Sequence, residues 1–484
     1  MPSGFFALSK KRMFDWGYST EPQVALGGER MIWPRGKVLG GSGSVNAMTY
    51  LRGSPGDFDH WAAAGNPGWS YAECLPYFKR AETHQLGESE YHGGSGPLGI
   101  QKNILRNPLG RAWIDAARQS GYRTNSDFNG PSIEGFGPPD QNITAGRRSS
   151  PASAYLHPIR ARRNLTITTN VLVTRIITEG KRATGVELRH RGRTTTIKAS
   201  REVILTAGAI NSPQLLLLSG IGDPATLKQH GISPVHDLRG VGRNLQDHLY
   251  SANKWTCRLP VSLINRLRPQ EITYAMLRYL LFRSGTAAET GMEAVGFVRS
   301  GPQQPELAIQ YHFAMLIYAK NGNEIDKRHG FMPIFHVCYP KSRGTVSLNS
   351  ADSELPPAID PNYLADEADL AMLREGLRIS RKIIAQPVFD ALRGEEIALR
   401  PDADEREIND YLRQNLGTSY HPVGTCKMGV DADAVVDPKL RVIGLDGLRV
   451  ADASIMPRIV CSNTQAATIM IAERAADMII ASKT

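Results

Sequence analysis

The sequence predicts an α/β body interleaved with an α+β body, and three observations predict it. Short β-branched runs between residues 164 and 198 lead into an apolar strand at 202–207 and then a helix, the order of an α/β unit. Between 249 and 417 strands come first and helices afterwards, as in an antiparallel sheet with helices on one face. The chain then returns to strand-rich sequence at 435–452 and ends in an apolar helix at 466–480. At 484 residues and 41% hydrophobic it exceeds one simple core. The divisions fall at 1–248, 249–418 and 419–484, the first and last forming one body, with an aromatic-rich insertion at about 58–140.

The elements follow in order. Ser9-Lys-Lys-Arg12 after a very short apolar patch is not a secretory signal, and no run reaches eighteen apolar residues. At 35–53 the glycines 36, 40, 41 and 43 let a backbone pass against a planar ring or a phosphate. A proline-broken helix is expected at 68–78 and an unbroken one at 108–120. Runs 165–169, 172–177, 184–188 and 194–198 read as a meander. Asn211-Ser-Pro213 opens a helix at 214–219 that Gly220 caps. Gly220-Ile-Gly222-Asp-Pro-Ala225 matches a dinucleotide fingerprint but follows a helix, so it is not one. Strands at 295–298, 307–313, 331–339 and 344–348, a hairpin turn at 341–344, and helices at 367–385 and 405–416 complete the middle.

Two late residues carry chemistry. His421 precedes Pro422, which holds it in extended, non-helical chain, and Asn463 stands before the terminal helix. An imidazole and a neutral amide are what an alcohol needs to lose a proton and have its oxygen held; alone, each also reads as a packed histidine and a helix cap. The charge excess of +10 is spread and without a nucleic-acid motif, so it reads as a solvated basic surface, with peripheral contact to an anionic membrane as the alternative. Five scattered cysteines exclude a disulfide framework and a zinc site, and no metal is expected. They fit a reducing, cytoplasmic compartment.

The stretches 35–53, 208–222, 420–429 and 459–468, in this order and at these separations, resemble the glucose–methanol–choline (GMC) family of flavin-dependent alcohol oxidoreductases, and 241–248 does too. The resemblance implies an FAD-binding Rossmann-like domain and an antiparallel-sheet substrate-binding domain in a choline- or alcohol-dehydrogenase-like enzyme. It places Val38, Gly40, Gly41, Asn46, Ala47, Met48 and Thr49 along the flavin, the backbone of Val171 at the adenine, and Asp452 and Ala453 at the sugar and phosphate. It makes His421 the base and Asn463 the oxygen-holding partner, with hydride passing to flavin N5 and an aldehyde or ketone as product. Some relatives hold their flavin through a histidine where this chain has Val45, so non-covalent FAD is expected. Relatives also open with a strand–glycine loop–helix unit, and the expectation here is a chain that begins after it, its FAD domain N-terminally truncated. The rival readings are a flavin-containing lyase on the same scaffold and a truncated non-catalytic copy. The substrate is a small-molecule alcohol; no motif chooses among oxygen, a quinone or another carrier as acceptor. His248 reads as structural, and Glu293 is a candidate to face a cationic substrate.

Overall fold

The computed structural model describes residues 1–4, 12–301, 304, 306–318 and 324–482; the patch at 5–11 behind the signal-sequence reading lies outside them. Helices α1 (Pro55–Ala63) and α2 (Tyr71–Ala81) each begin with a capping box, Ser54 with Asp57 and Ser70 with Glu73. Contrary to expectation α2 runs on through Pro76. Burial of Cys74 and Phe78 below it, and Arg80 bonded to Glu473 and Asp477, outweigh the lost backbone bond. The rings of Phe58, Trp61, Trp69 and Phe78 meet edge-on or tilted and share one core with the terminal helix.

Behind α2 lies a buried ionic network. Arg52 Nη2 is 2.7 Å from Glu82 Oε1, and His92 reaches Glu82 at 2.9 Å and Asp127 at 3.0 Å. Burial works against the His92 imidazolium, but the bonds to Asp127 and Glu82 outweigh it and lift His92 from 6.5 to about 9. Donor atoms of His84, His92 and Asp140 lie within 4.8 Å of one another, yet both His92 nitrogens donate to carboxylates and keep no lone pair for a metal. Because His92 is raised on folding, its contribution is fully present below pH 6.5 and is lost as pH rises through about 9. Chemical denaturation is expected to show stability falling from pH 7 to 10, with a flatter profile in His92→Gln. Glu82→Ala, which strands the buried Arg52, should cost about 3–5 kcal/mol; a loss under about 1 kcal/mol would show that water reaches the site.

Next come α3 (Pro108–Gln119), β1 (Gly135–Gly137) and the meander β2 (Leu172–Glu179), β3 (Arg182–His190) and β4 (Arg193–Lys198). The run 165–169 is not a strand: it is largely exposed and has no neighbour to pair with among the described residues. Strand β5 (Val203–Leu205) feeds α4 (Gly208–Leu218), which starts six residues before the expected position. The reason lies far along the chain, where the Asp452 carboxylate accepts from the Gly208 N–H (2.9 Å) and the Ser212 hydroxyl (2.5 Å) and so satisfies the helix start. Gly220, at φ +79°, follows the helix end as expected.

The middle of the chain builds an eight-stranded antiparallel sheet from β6 (Leu249–Ala252), β7 (Lys254–Cys257), β8 (Val295–Val298), β9 (Ile309–Ala314), β10 (Gly330–Val337), β11 (Arg393–Ile397), β12 (Gly417–Thr418) and the early β1. Its order is β11-β7-β10-β9-β8-β1, with β6 pairing both β10 and β12. Helix α5 (Pro269–Phe282), absent from the sequence reading, joins β7 to β8, and α6 (Glu367–Ile384) and α7 (Glu405–Gln414) follow β10. Residues 341–344 make no hairpin: the Lys341 and Ser342 N–H groups are taken by Asp369 in the first turn of α6, and Gly344 bridges to Leu245.

The chain returns through β13 (Leu448–Val450), parallel to β5 with Val203 opposite Leu448, and ends in α8 (Gln465–Ala481). Parallel strands are normally covered on both faces, yet Ile204 of β5 is exposed.

Candidate active site

The centre of the site is assembled by the large sheet. Just beyond β12, Tyr420 turns through φ +60° and the His421 N–H donates to Asp247 Oδ1 at 2.7 Å. Asp247 also accepts from the Thr418 hydroxyl (2.5 Å) and the Tyr363 hydroxyl, so three bonds hold the segment that carries the imidazole. Burial raises the Asp247 carboxyl, and these three donors act against that rise.

The protonation pattern around His421 is assigned from the hydrogen bonds of His248, whose ring meets the backbone of Cys338 and of Val460. His248 Nε2 lies 3.0 Å from the Cys338 carbonyl, which only accepts, so Nε2 carries the hydrogen. Burial drives His248 down to about 4, so the ring is neutral and its Nδ1 is an acceptor. His421 Nδ1, 2.9 Å away, must then be the donor, and the lone pair of His421 is left on Nε2. That nitrogen faces Asn463 Nδ2 at 3.1 Å. The Asn463 oxygen accepts from Gln310 Nε2 at 3.2 Å, which fixes the amide so that its N–H points at the imidazole. Gln310 and His312 stand two apart on β9 and contact each other at 3.1 Å. His421 is held well below 6.5, first by burial and then by repulsion from His248, His312 and Arg35.

Asn463 is therefore no helix cap. Thr464 occupies the cap position of α8, and the Asn463 amide is spent on His421 and Gln310. Its strand of chain is pinned from both sides: the Cys461 N–H donates to Asp57 Oδ2 (2.9 Å) and the Ile459 N–H to Gln246 Oε1 (3.1 Å). Asp57 is the same carboxylate that closes the capping box of α1.

The glycine loop lies against this pair. Arg35 Nη2 donates to the Tyr420 carbonyl at 2.5 Å, and Asn46 Nδ2 bonds to Gln465 in the first turn of α8. Arg148 clamps Asn46 through its side-chain oxygen (2.7 Å) and its carbonyl (2.6 Å). A Cβ at Gly43 would meet the Pro151 ring at 2.7 Å, whereas one at Gly41, φ +56°, would meet nothing within 4 Å. Val38 and Leu39 on the same loop expose apolar side chains, while the Met48 and Thr49 side chains are buried and offer a ligand only backbone.

The residues here suit a flat apolar ring and a phosphate: Val38 and Leu39 are exposed, a Cβ at Gly41 or at Gly208 where α4 begins would meet nothing within 4 Å, and Ile204 of the parallel pair is exposed. The structure brings His421 and Asn463 into contact and ties Asn46 to Gln465, two residues beyond Asn463, with Gly40 and Gly41 on the same loop as Asn46. Asp452 and Ala453 sit at the start of α4, and the Asp452 carboxylate is consumed there. Val171 stands apart, at the entry to β2. Sequence reasoning missed Asp247, Gln310 and His312 and took His248 as structural; the motif 241–248 that contains Asp247 and His248 was the available signal. Glu293 is buried at the start of α3, where its Oε2 accepts from the Arg106 and Asn107 N–H groups.

Two GMC oxidoreductase family models match this chain, at residues 17–250 and 340–472. A match that begins at residue 17 does not support the expectation of a missing N-terminal unit. The oxygen-dependent choline dehydrogenase of Brucella ovis is 44% identical over 99% of this chain and 88% of its own length. That of Rhizobium etli is 45% identical with the same coverage. Among solved structures, pyridoxine 4-oxidase of Mesorbium loti superposes with a TM-score of 0.89 at 33% identity, covering 99% of this chain and 91% of that one. A variant formate oxidase of Aspergillus oryzae gives 0.91 at 27% identity, covering 99% and 90%.

Proposed function

Because the chain belongs to the GMC oxidoreductase family and is an FAD-dependent alcohol oxidoreductase, we propose that His421 is its base and Asn463 its oxygen-holding group. The observation that carries the reading is the single edge where the His421 Nε2 lone pair meets the Asn463 N–H at 3.1 Å. An alcohol hydroxyl arriving there exchanges that one bond for two: it donates its proton to Nε2 and accepts from Nδ2–H. As the O–H proton passes to Nε2, the oxygen becomes more negative, and the Asn463 donor strengthens with it. His248 keeps the single N–H of the neutral imidazole on Nδ1, so the accepting nitrogen faces substrate. FAD supplies the hydride acceptor at flavin N5.

Val38, Gly40, Gly41 and the chain from Asn46 to Thr49 line the ring system in this proposal, with Asp452, Ala453 and Val171 toward the nucleotide. Segments 1–248 and 419–484 form the cofactor body and 249–418 the substrate side. Choline is the first substrate to test, since the choline dehydrogenases of Brucella ovis and Rhizobium etli match over 99% of the chain at 44% and 45% identity. Anaerobic addition of choline to the purified flavoprotein is expected to bleach the flavin. Bleaching by another alcohol but not by choline would reassign the substrate; a loaded enzyme that no alcohol bleaches would end the oxidation reading. Because valine at position 45 has no nucleophilic atom, acid precipitation should release the whole flavin into the supernatant. Flavin that stays with the pellet would show covalent attachment elsewhere.

A further inference from the structure

The connector helix α5 breaks the ordinary rule for a helix on a protein surface, which turns its apolar stripe inward and its polar face to water. Its inward seam is only Ala275 and Tyr279, and only Tyr279 is buried. Opposite that seam, where charged residues belong, stand Leu277, Leu280 and Leu281, flanked by Tyr274, while Phe282 ends the helix on the seam side. Leu281 and Phe282 are each 72% exposed and Leu280 is 61% exposed. Isolated exposed leucines need no explanation, but a contiguous row along a helix marks a contact surface.

The charge around the row identifies what it contacts. Arg268, Arg278 and Arg283 are exposed on or at the ends of the helix. Arg147 follows Gly146, which packs on the Arg283 carbonyl, and Lys327 lines the same cleft as Arg268 at the other end. The nearby acids are largely spent: Glu289 is held by Arg106 and Arg266 and Asp326 by Arg328, leaving Glu271 and Glu324. An apolar row rimmed by guanidinium and ammonium groups matches acyl chains beneath anionic headgroups. A second copy of the chain would bring arginine against arginine. At 14 residues the helix is about 21 Å long, and no helix among the described residues is long and apolar enough to cross a membrane, so α5 lies in the plane of the surface.

We propose that α5 docks this enzyme on an anionic lipid bilayer, with Leu277, Leu280 and Leu281 in the headgroup–acyl boundary and the arginines on lipid phosphates. The test is co-sedimentation of the flavin-loaded full chain with vesicles of phosphatidylcholine alone or mixed with phosphatidylglycerol, beside sedimentation velocity without lipid. Binding is expected only with phosphatidylglycerol, weakened by salt, and at least about tenfold weaker in L277E/L281E. That variant should keep full alcohol oxidation with a water-soluble dye, because neither residue belongs to the site, which also shows that it folds. The proposal is overturned if the parent chain ignores anionic vesicles, or if the variant binds them equally well. A parent that is a dimer in solution and becomes a monomer in L277E/L281E would overturn it as well, assigning the row to self-association.

Discussion

Replacing His421 with Ala is expected to lower turnover by about 10²–10⁴-fold, the usual range for losing a general base, while flavin content stays unchanged. The imidazole is held by backbone and ring contacts on the sheet side, Asp247 at its N–H and His248 at Nδ1, so removing the ring leaves the glycine loop and its Arg148 clamp untouched. The pH profile carries a second signature. Burial and the neighbouring histidines hold His421 well below 6.5, so the base stays neutral under mildly acidic conditions. The acid limb of kcat/KM should therefore lie below pH 6.5, and activity should be flat between that limb and neutrality. The same depression means that the unfolded chain takes up a proton near pH 6.5 that the folded chain refuses, so this group's contribution to stability is lost as pH falls below that value. Loss of flavin in step with loss of rate would make His421 structural instead.

Asn463→Ala should slow flavin reduction by about 10²–10³-fold with a much smaller change in substrate affinity, because a donor aimed at developing charge acts chiefly in the transition state. Rapid-mixing absorbance separates the two effects. Gln310 makes the forecast sharper: it fixes the amide through Oδ1, so Asn463→Asp, which keeps the shape and the Gln310 bond but offers Nε2 no N–H, should be as slow as alanine. A defect confined to binding would remove Asn463 from the chemistry.

How much of this could be read beforehand depended on how local the cause was. The glycine loop, His421 before Pro422, and helices such as those starting at Glu367 and Glu405 announce themselves within a few residues, since turn chemistry, caps and apolar periodicity are local. Asn463 was ambiguous for the same reason: a cap and a catalytic amide look alike until His421 is placed beside it. His248 was read as structural because its partner is 173 residues away. Gln310 and His312 were invisible because only the pairing of β9 with β10 turns them toward the site. The start of α4 was misplaced because the carboxylate that licenses it comes from the far end of the chain. Helix α5 escaped because its apolar residues point outward, so its periodicity describes no core.

The pairing of β5 with β13 has a consequence for biosynthesis. Gly208 and the Asp452 carboxylate that starts its helix are 244 residues apart, and among the described residues the strand before Gly208 pairs only with the strand before Asp452. On a ribosome adding about 5–20 residues per second, β5 waits roughly 12–50 s for its partner to be made. During that interval the nascent chain carries an unpaired apolar strand, the state in which chaperones and aggregation compete. The start of α4 is likewise left without its carboxylate partner until residue 452 has been made.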